Sequence, residues 1–470
     1  MKFMRYIHLI FFLIFLGTAL SIYFVQLGML KVNKSTLANR LTELHMANIS
    51  HQRAQLIREL VPDQTDNVIE RRANEYKQHK IRTKTDITDI IIAPANSPLK
   101  YPITGFMVAP LKKSLIPGLA LKTQERDITT NNREVYKVSL SVNKGVLSVK
   151  DLLDGDQVEG QGQSNLTISS SNITHLNDLL SRVTYTSTIY HIRTSDLGYF
   201  SFEDYKAIFP IMIKRPSIPV LYDPGQDINS KVTIVTKTFL RYKELNVLIQ
   251  SIRKSYPEIK IIVADDSLKP ERLSGNNIDH YIMPPAQGWF AGRNLVVSQL
   301  TTKYFLWVDD DFVFLNETRI ESFVKIMEAN PELDILGGEV SGEQFYFIFE
   351  YDNGDESEGG FLRRIRGFHQ SLPNHDGCVL VDGVINFFLA RTDAVQGVGF
   401  DPFLKRVAHS EFFIDALGKL MVASCKGLCV GHQAHQVQFK YDFYRIQGKH
   451  EEERKLAHLF FKNYLNYIKY

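Results

Sequence analysis

From Lys231 onward, short apolar runs alternate with stretches of helical period. KVTIVTKTF (231–239), IKIIVADDS (259–267) and KYFLWVDDDF (303–312) predict buried strands, because each is a short run rich in apolar and β-branched residues. LRYKELNVLIQSIRKSY (240–256), AGRNLVVSQL (291–300) and IESFVKIMEANP (320–331) predict helices with one apolar face. Strands alternating with helices predict a mostly parallel α/β sheet covered on both faces, here spanning 228–470. Upstream the period changes. VYKVSLSV (135–142), GVLSVKDL (145–152), SNLTISSS (164–171) and YTSTIYHI (185–192) alternate and are broken by Gly, Asn and Asp, which predicts a small all-β sandwich over 101–220. Pro216, Pro219 and Pro224-Gly225 punctuate the linker between the two.

The pattern over residues 1–100 is different again. Residues 7–30 carry no charge, and a helix needs about 20 apolar residues to cross a bilayer. This predicts a transmembrane signal anchor after a short tail at 1–6. A cleaved leader is the competing reading, but its apolar core ordinarily stops at about 15 residues. Lys2 and Arg5 on one side and Lys31 and Lys34 on the other leave orientation by charge ambiguous. Residues 31–100 read as a stem, in which Leu37, Leu41 and Leu44 begin a helical stripe that Asn48 and His51 interrupt.

Composition changes this picture little. At 44% hydrophobic and 23% charged, the chain is an ordinary folded protein, and a net charge of +3 without a basic, aromatic-interleaved stripe argues against nucleic acid. Asn33, Asn48, Asn165, Asn172 and Asn316 all begin N-x-[ST] sequons beyond the span, which fits a type II protein with a lumenal body. Three cysteines, Cys378, Cys425 and Cys429, allow one disulfide and no more.

The candidate chemistry lies where apolar strands end. Asp265-Asp266 and Asp309-Asp310-Asp311 both follow strands, at the edge where open α/β sheets bind ligands. A divalent cation would offset the repulsion in the triple acid, and hard oxygen ligands suit Mn²⁺ or Mg²⁺ shared with substrate phosphates. A calcium site or a solvated turn would use the same residues.

Longer stretches are more specific. VTIVTKTFLRY, IIVADDS, GWFAGRN, TTKYFLWVDDDF, VDGVINFFLAR, VGFDPFLKRVAHSEFFIDALG and VASC cover most of 231–430 and resemble the β-1,4-N-acetylgalactosaminyltransferases, ganglioside-type and Sd(a)-type, of GT-A fold. HSEFFIDALG and GHQ look closer to the Sd(a) type, whereas 351–376 departs from the family pattern and is where acceptor choice would reside. The resemblance implies an inverting transfer of GalNAc from UDP-GalNAc to a galactose, often sialylated, by a Golgi membrane enzyme. Glycolipid and glycoprotein acceptors stay open, and so does oligomeric state, with a homodimer as one option.

Carried over by position, the resemblance implies donor contacts from Thr238, Arg241, Asp265, Asp266, Arg293 and Asp309. It implies metal ligation by Asp309, Asp311 and His432, with His435 as a rival. Gly288 and Gly292 would admit backbone close to the nucleotide, and Trp289 would stack on sugar or pack in the core. For the base that takes the acceptor proton, Glu411 is the first candidate, Asp415 one helical turn on is the second, and Asp382 would hold donor sugar or acceptor. Family positions also imply Cys378 paired with Cys425. The enzyme rival uses another UDP-sugar or acceptor; the non-enzyme rival is a tethered glycan-binding protein that has lost catalysis.

Overall fold

The structure, a computed structural model, describes residues 65–83, 97–122, 135–223, 225–355, 359–405, 409–434, 441, 459–460 and 462–469. The expected anchor at 7–30, the sequons at Asn33 and Asn48, and His435 lie outside these residues. Among the described residues no helix is long and apolar enough to cross a membrane. The chain divides into two compact units: His79–Val220, and Leu221 onward together with the described residues up to Gln78.

The first unit is built mostly from antiparallel strands, with Phe106–Val108 added parallel to Tyr205–Lys214. Tyr136–Val142, Asn165–Ser170, Arg193–Phe202 and Tyr205–Lys214 form the body of a six-stranded sheet, and Gly145–Val149 pairs with Val183–Ser187 in a three-stranded one. The alternation seen in sequence becomes burial: Val138, Leu140 and Val142 enter one core with Leu166, Ile168, Phe200 and Phe209. The unit is not all β. Helix Ile173–Ser181 starts at Asn172, whose side chain accepts hydrogen bonds from the amides of Thr174 and His175, and it buries Leu176, Leu179 and Leu180. Its nine residues are too short to show a clear period in sequence.

The second unit centres on a ten-stranded sheet. Val232–Thr238, Ile261–Asp265 and Tyr304–Trp307 are parallel neighbours, all fully buried. Successive side chains go to opposite faces. Ile234, Ile261, Val263, Tyr304 and Leu306 join the core beneath helices Tyr242–Ser255 and Ile320–Ala329. Val235, Ile262, Ala264, Phe305 and Trp307 join the core beneath helices Trp289–Ser298, Thr392–Val398 and His409–Ala416. The sheet is mixed rather than mostly parallel, because Phe388–Arg391 enters antiparallel between Tyr304–Trp307 and Ile335–Val340. A separate four-stranded sheet joins Gly383–Val384, Tyr346–Asp355, Gly359–Ile365 and Leu465–Lys469.

Cys378 and Cys425 face each other on adjacent strands and are joined, as the resemblance implied, while Cys429 has a free thiol. Part of the presumed stem belongs to this unit: on helix Thr65–Thr83, Arg72 lies over the ring of Phe460 and Tyr76 stacks on Tyr464.

Candidate active site

Strand Tyr304–Trp307 delivers Asp309, Asp310 and Asp311 to the carboxyl edge of the sheet, level with Thr238 and Asp265. The turn is fixed by backbone: Phe312 N donates to Asp309 O and Gln433 N to Asp311 O. Phe312 in turn pairs with His432 across strands, which brings a residue from the late chain to the acids.

The three aspartates have different surroundings. Asp309 Oδ1 accepts from Trp307 Nε1 at 3.0 Å, and its Oδ2 accepts from Asn386 Nδ2 at 2.9 Å. Asp310 turns inward, where its carboxylate accepts from Thr238 Oγ1 and meets Arg241 Nη1 at 3.1 Å. Asp311 Oδ2 lies 2.6 Å from Arg241 Nη2 and 3.2 Å from His432 Nε2. Burial pushes Asp309 and Asp310 up to about 7, with Asp311 adding to it, while Arg293 and Arg241 respectively work the other way. Burial would lower the Arg241 guanidinium, but Asp310 and Asp311 outweigh it and raise the group above its ordinary value.

His432 has a defined tautomer. Its Nδ1 faces the carbonyl of Gln433 at 2.6 Å, and a carbonyl can only accept, so Nδ1 carries the hydrogen. Its Nε2 then either carries a second proton or points a lone pair at Asp311. A cation between Nε2 and Asp311 resolves the second case, and the first is a hydrogen bond. Asp311 and His432 are thus the pair that would hold a divalent ion at this edge of the sheet, one giving oxygen and the other nitrogen. Among the described residues no three His, Cys, Asp or Glu side chains converge as a metal cage.

The first acidic pair is internal. Asp265 is 0% exposed and its oxygens accept from Tyr242 Oη, Ser267 N and His280 Nε2. Asp266 is 1% exposed, ion-paired with buried Lys237 at 2.6 Å, and accepts from Gly288 N. Asp266 therefore braces its strand end against the GWFAGRN segment, while Asp265 is enclosed by Tyr242, Ser267 and His280. Thr238 is likewise committed to Asp310. Arg293 is 2% exposed, lies between Trp307 and Trp289 at 4.2 and 5.0 Å, and donates to Asn386 Oδ1. Its burial pulls it down to about 10, so it remains cationic at neutral pH without facing the open site.

The glycines of GWFAGRN serve packing. A Cβ on Gly292 would lie 2.6 Å from the Lys237 side chain, and one on Gly288, at φ 95°, would strike the Lys405 backbone. The close approach is of helix to strand and of loop to loop. Trp289 sits edge-on to His409 and beneath Arg293, as part of an aromatic box.

Helix His409–Ala416 brings its first residue to the same place, since His409 Nε2 lies 3.5 Å from Asn386 Nδ2. Glu411, two residues on, is 1% exposed. Asp415 is held by Lys462 at 2.5 Å, and Lys462 also reaches Asp401. Asp382 is elsewhere. One row of the sheet runs Trp307, Phe388, Gly337, Ser424, Val379, and Asp382 follows Val381, leaving at the end away from the acidic turn. There it accepts from His369 Nε2 and Phe349 N. Sequence reasoning missed Lys237 and Asn386. Each is a lone polar side chain within an otherwise apolar or β-branched run, VTIVTKT and VINFFLA, and that was the available signal.

Residues 233–396 match Glycosyl transferase family 2. The human β-1,4 N-acetylgalactosaminyltransferase 1 is 45% identical over 84% of this chain and 77% of its own length. The chain belongs to the β-1,4 N-acetylgalactosaminyltransferase family. It is a glycosyltransferase of GT-A α/β fold. The mouse β-1,4 N-acetylgalactosaminyltransferase 2 is 43% identical over 84% of this chain and 78% of its own, so overall identity does not separate the two types. A crystal structure of S. aureus TarS 1-349 with UDP-GlcNAc matches at 15% identity and a TM-score of 0.33, covering 49% of this chain and 72% of that one, too loosely to bear on geometry.

Proposed function

We propose that this transferase moves GalNAc from UDP-GalNAc in β-1,4 linkage to a galactose, sialylated in its preferred acceptors, with inversion in one displacement. The observation that carries the donor half is the meeting of Asp311 and His432 beside Arg241 at the end of strand Tyr304–Trp307. Asp311 and His432 would hold Mn²⁺ or Mg²⁺, which when bound offsets the charge of the diphosphate and of the leaving UDP. Arg241 adds a guanidinium beside it, suited to phosphate oxygens. Glu411 is the base that removes the acceptor hydroxyl proton: Asp415 is neutralised by Lys462, and Asp382 leaves the sheet at the other end. The small sheet containing Tyr346–Asp355 and Gly359–Ile365 holds the region of least family resemblance and is our candidate for acceptor choice. The apolar span at 7–30 and exposed Asn165, Asn172 and Asn316 support a type II Golgi membrane protein with a lumenal body.

The test is incubation with UDP-GalNAc, Mn²⁺ and paired sialylated and unsialylated galactosides, on lipid and on protein, reading UDP release and product linkage. Release that is independent of acceptor, or faster with UDP-GlcNAc, would overturn the assignment.

A further inference from the structure

The Asp309 carboxylate is held by two neutral donors, and the nearest buried cation does not touch it. One donor is the Trp307 indole at 3.0 Å and the other is the Asn386 amide at 2.9 Å. Behind Asn386 lies Arg293, boxed by Trp307, Trp289, Phe400 and Phe290 and bonded to Asn386 Oδ1. The chemistry fixes which way the amide points. A guanidinium has no acceptor, so Asn386 must give it Oδ1, and Nδ2 is then left for the carboxylate. Arg293 and the linking Asn386 are buried, at 2% and 7% exposure, while Asp309 at the other end is half-buried.

We infer that Asn386 is a positioning residue for the donor site, and that Arg293 acts through it rather than on the diphosphate. A direct Arg293–Asp309 ion pair would spend the carboxylate's charge on a resident cation. Inserting a neutral amide holds Asp309 in one orientation while leaving that charge for an incoming cation or a donor hydroxyl. Buried polar relays of this kind are worth keeping only if each member is satisfied, and they fix geometry closely when they are. Asn386 also borders His409, so the relay joins the acidic turn to the start of the helix that carries Glu411. The inference rests on the proposed donor reading, and calorimetry separates the two: failure of the unaltered protein to bind UDP with Mn²⁺ sinks the reading itself.

Given that binding, Asn386→Asp preserves size and the Arg293 contact but replaces the donor to Asp309 with a second anion. UDP·Mn²⁺ affinity should fall at least tenfold, with donor KM raised by a similar factor and acceptor KM within twofold. Arg293→Lys, a shorter cation, should lose affinity too, and in the double variant the two losses should overlap instead of multiplying. Should Asn386→Asp fail to fold, Asn386→Ser, which keeps a small neutral hydroxyl donor, is expected to fold and to lose less affinity than Arg293→Lys. Unchanged UDP·Mn²⁺ affinity in a folded Asn386 variant overturns the positioning role. Multiplicative losses overturn the relay, since a phosphate-facing Arg293 would act independently of Asn386.

Discussion

At the scale of single residues, the two carboxylates of helix His409–Ala416 are told apart by their partners. Asp415 sits 2.5 Å from Lys462, so its charge is already spent in a structural pair, whereas Glu411 lies at the end of the helix that meets Asn386. Glu411→Gln should lower kcat by roughly two to four orders of magnitude with UDP·Mn²⁺ affinity nearly unchanged. Asp415→Asn should instead lower the melting temperature and leave kcat within about tenfold; the opposite kcat ranking would make Asp415 the base. A second prediction concerns Asp310, whose folded value is raised from 3.8 to about 7, chiefly by burial. Between those pH values the folded chain keeps a proton that the unfolded chain has lost, so this group's contribution to stability declines as pH rises and has gone above about 7. Asp310→Asn cannot titrate. Its melting temperature relative to the unaltered protein should therefore climb from pH 5 to pH 8, and a flat or falling difference would refute the buried, proton-holding carboxyl.

At the scale of elements, the cross-strand disulfide pins the far side of the main sheet. It closes a loop of sequence separation 47 between two strands buried in the core. In the chain-entropy picture such a loop contributes about 4 kcal/mol. Replacing both cysteines with alanine should lower the urea-unfolding free energy by about that amount, with UDP·Mn²⁺ binding preserved in the folded fraction. A loss below about 1 kcal/mol would mean that the strand pairing alone holds this edge. The strand Val422–His432 that contains Cys425 also ends in His432, so one element ties the disulfide to the candidate metal site.

At the scale of the molecule, the transferase unit draws on both ends of the described chain. Helix Thr65–Thr83 packs Val68 against Phe460, and its Arg72 and Tyr76 meet Phe460 and Tyr464. The following strand Leu465–Lys469 pairs with Gly359–Ile365, and Lys462 grips the helix of Glu411 through Asp415. A desolvated cation–π contact is worth about 2 kcal/mol and an aromatic pair about 1 kcal/mol. A chain starting at residue 84 should thus melt several degrees below one starting at residue 65, in thermal scans at matched protein concentration. Equal melting temperatures would return this helix to the status of a spacer.

The sequence by itself determined the three parallel strands of the transferase unit, the helices between them and the location of the acids. Those follow from local period and from where an apolar run stops, as in YFLWVDDDF, and neighbouring residues are enough to encode them. Family resemblance supplied the cysteine pair and the late histidine. Which carboxylates are open for chemistry was decided only by tertiary structure. A carboxylate's role depends on what faces it, and the facing groups come from far along the chain: Arg241 from 70 residues away for Asp311, Asn386 from 77 for Asp309, and Lys462 from 47 for Asp415. Asp265 and Asp266 read in sequence like ligand-facing acids, yet the fold buries both on Tyr242, His280 and Lys237. Burial makes an unpartnered charge costly, so the packing that encloses a carboxylate must also assign it a partner, and that assignment has no local signature.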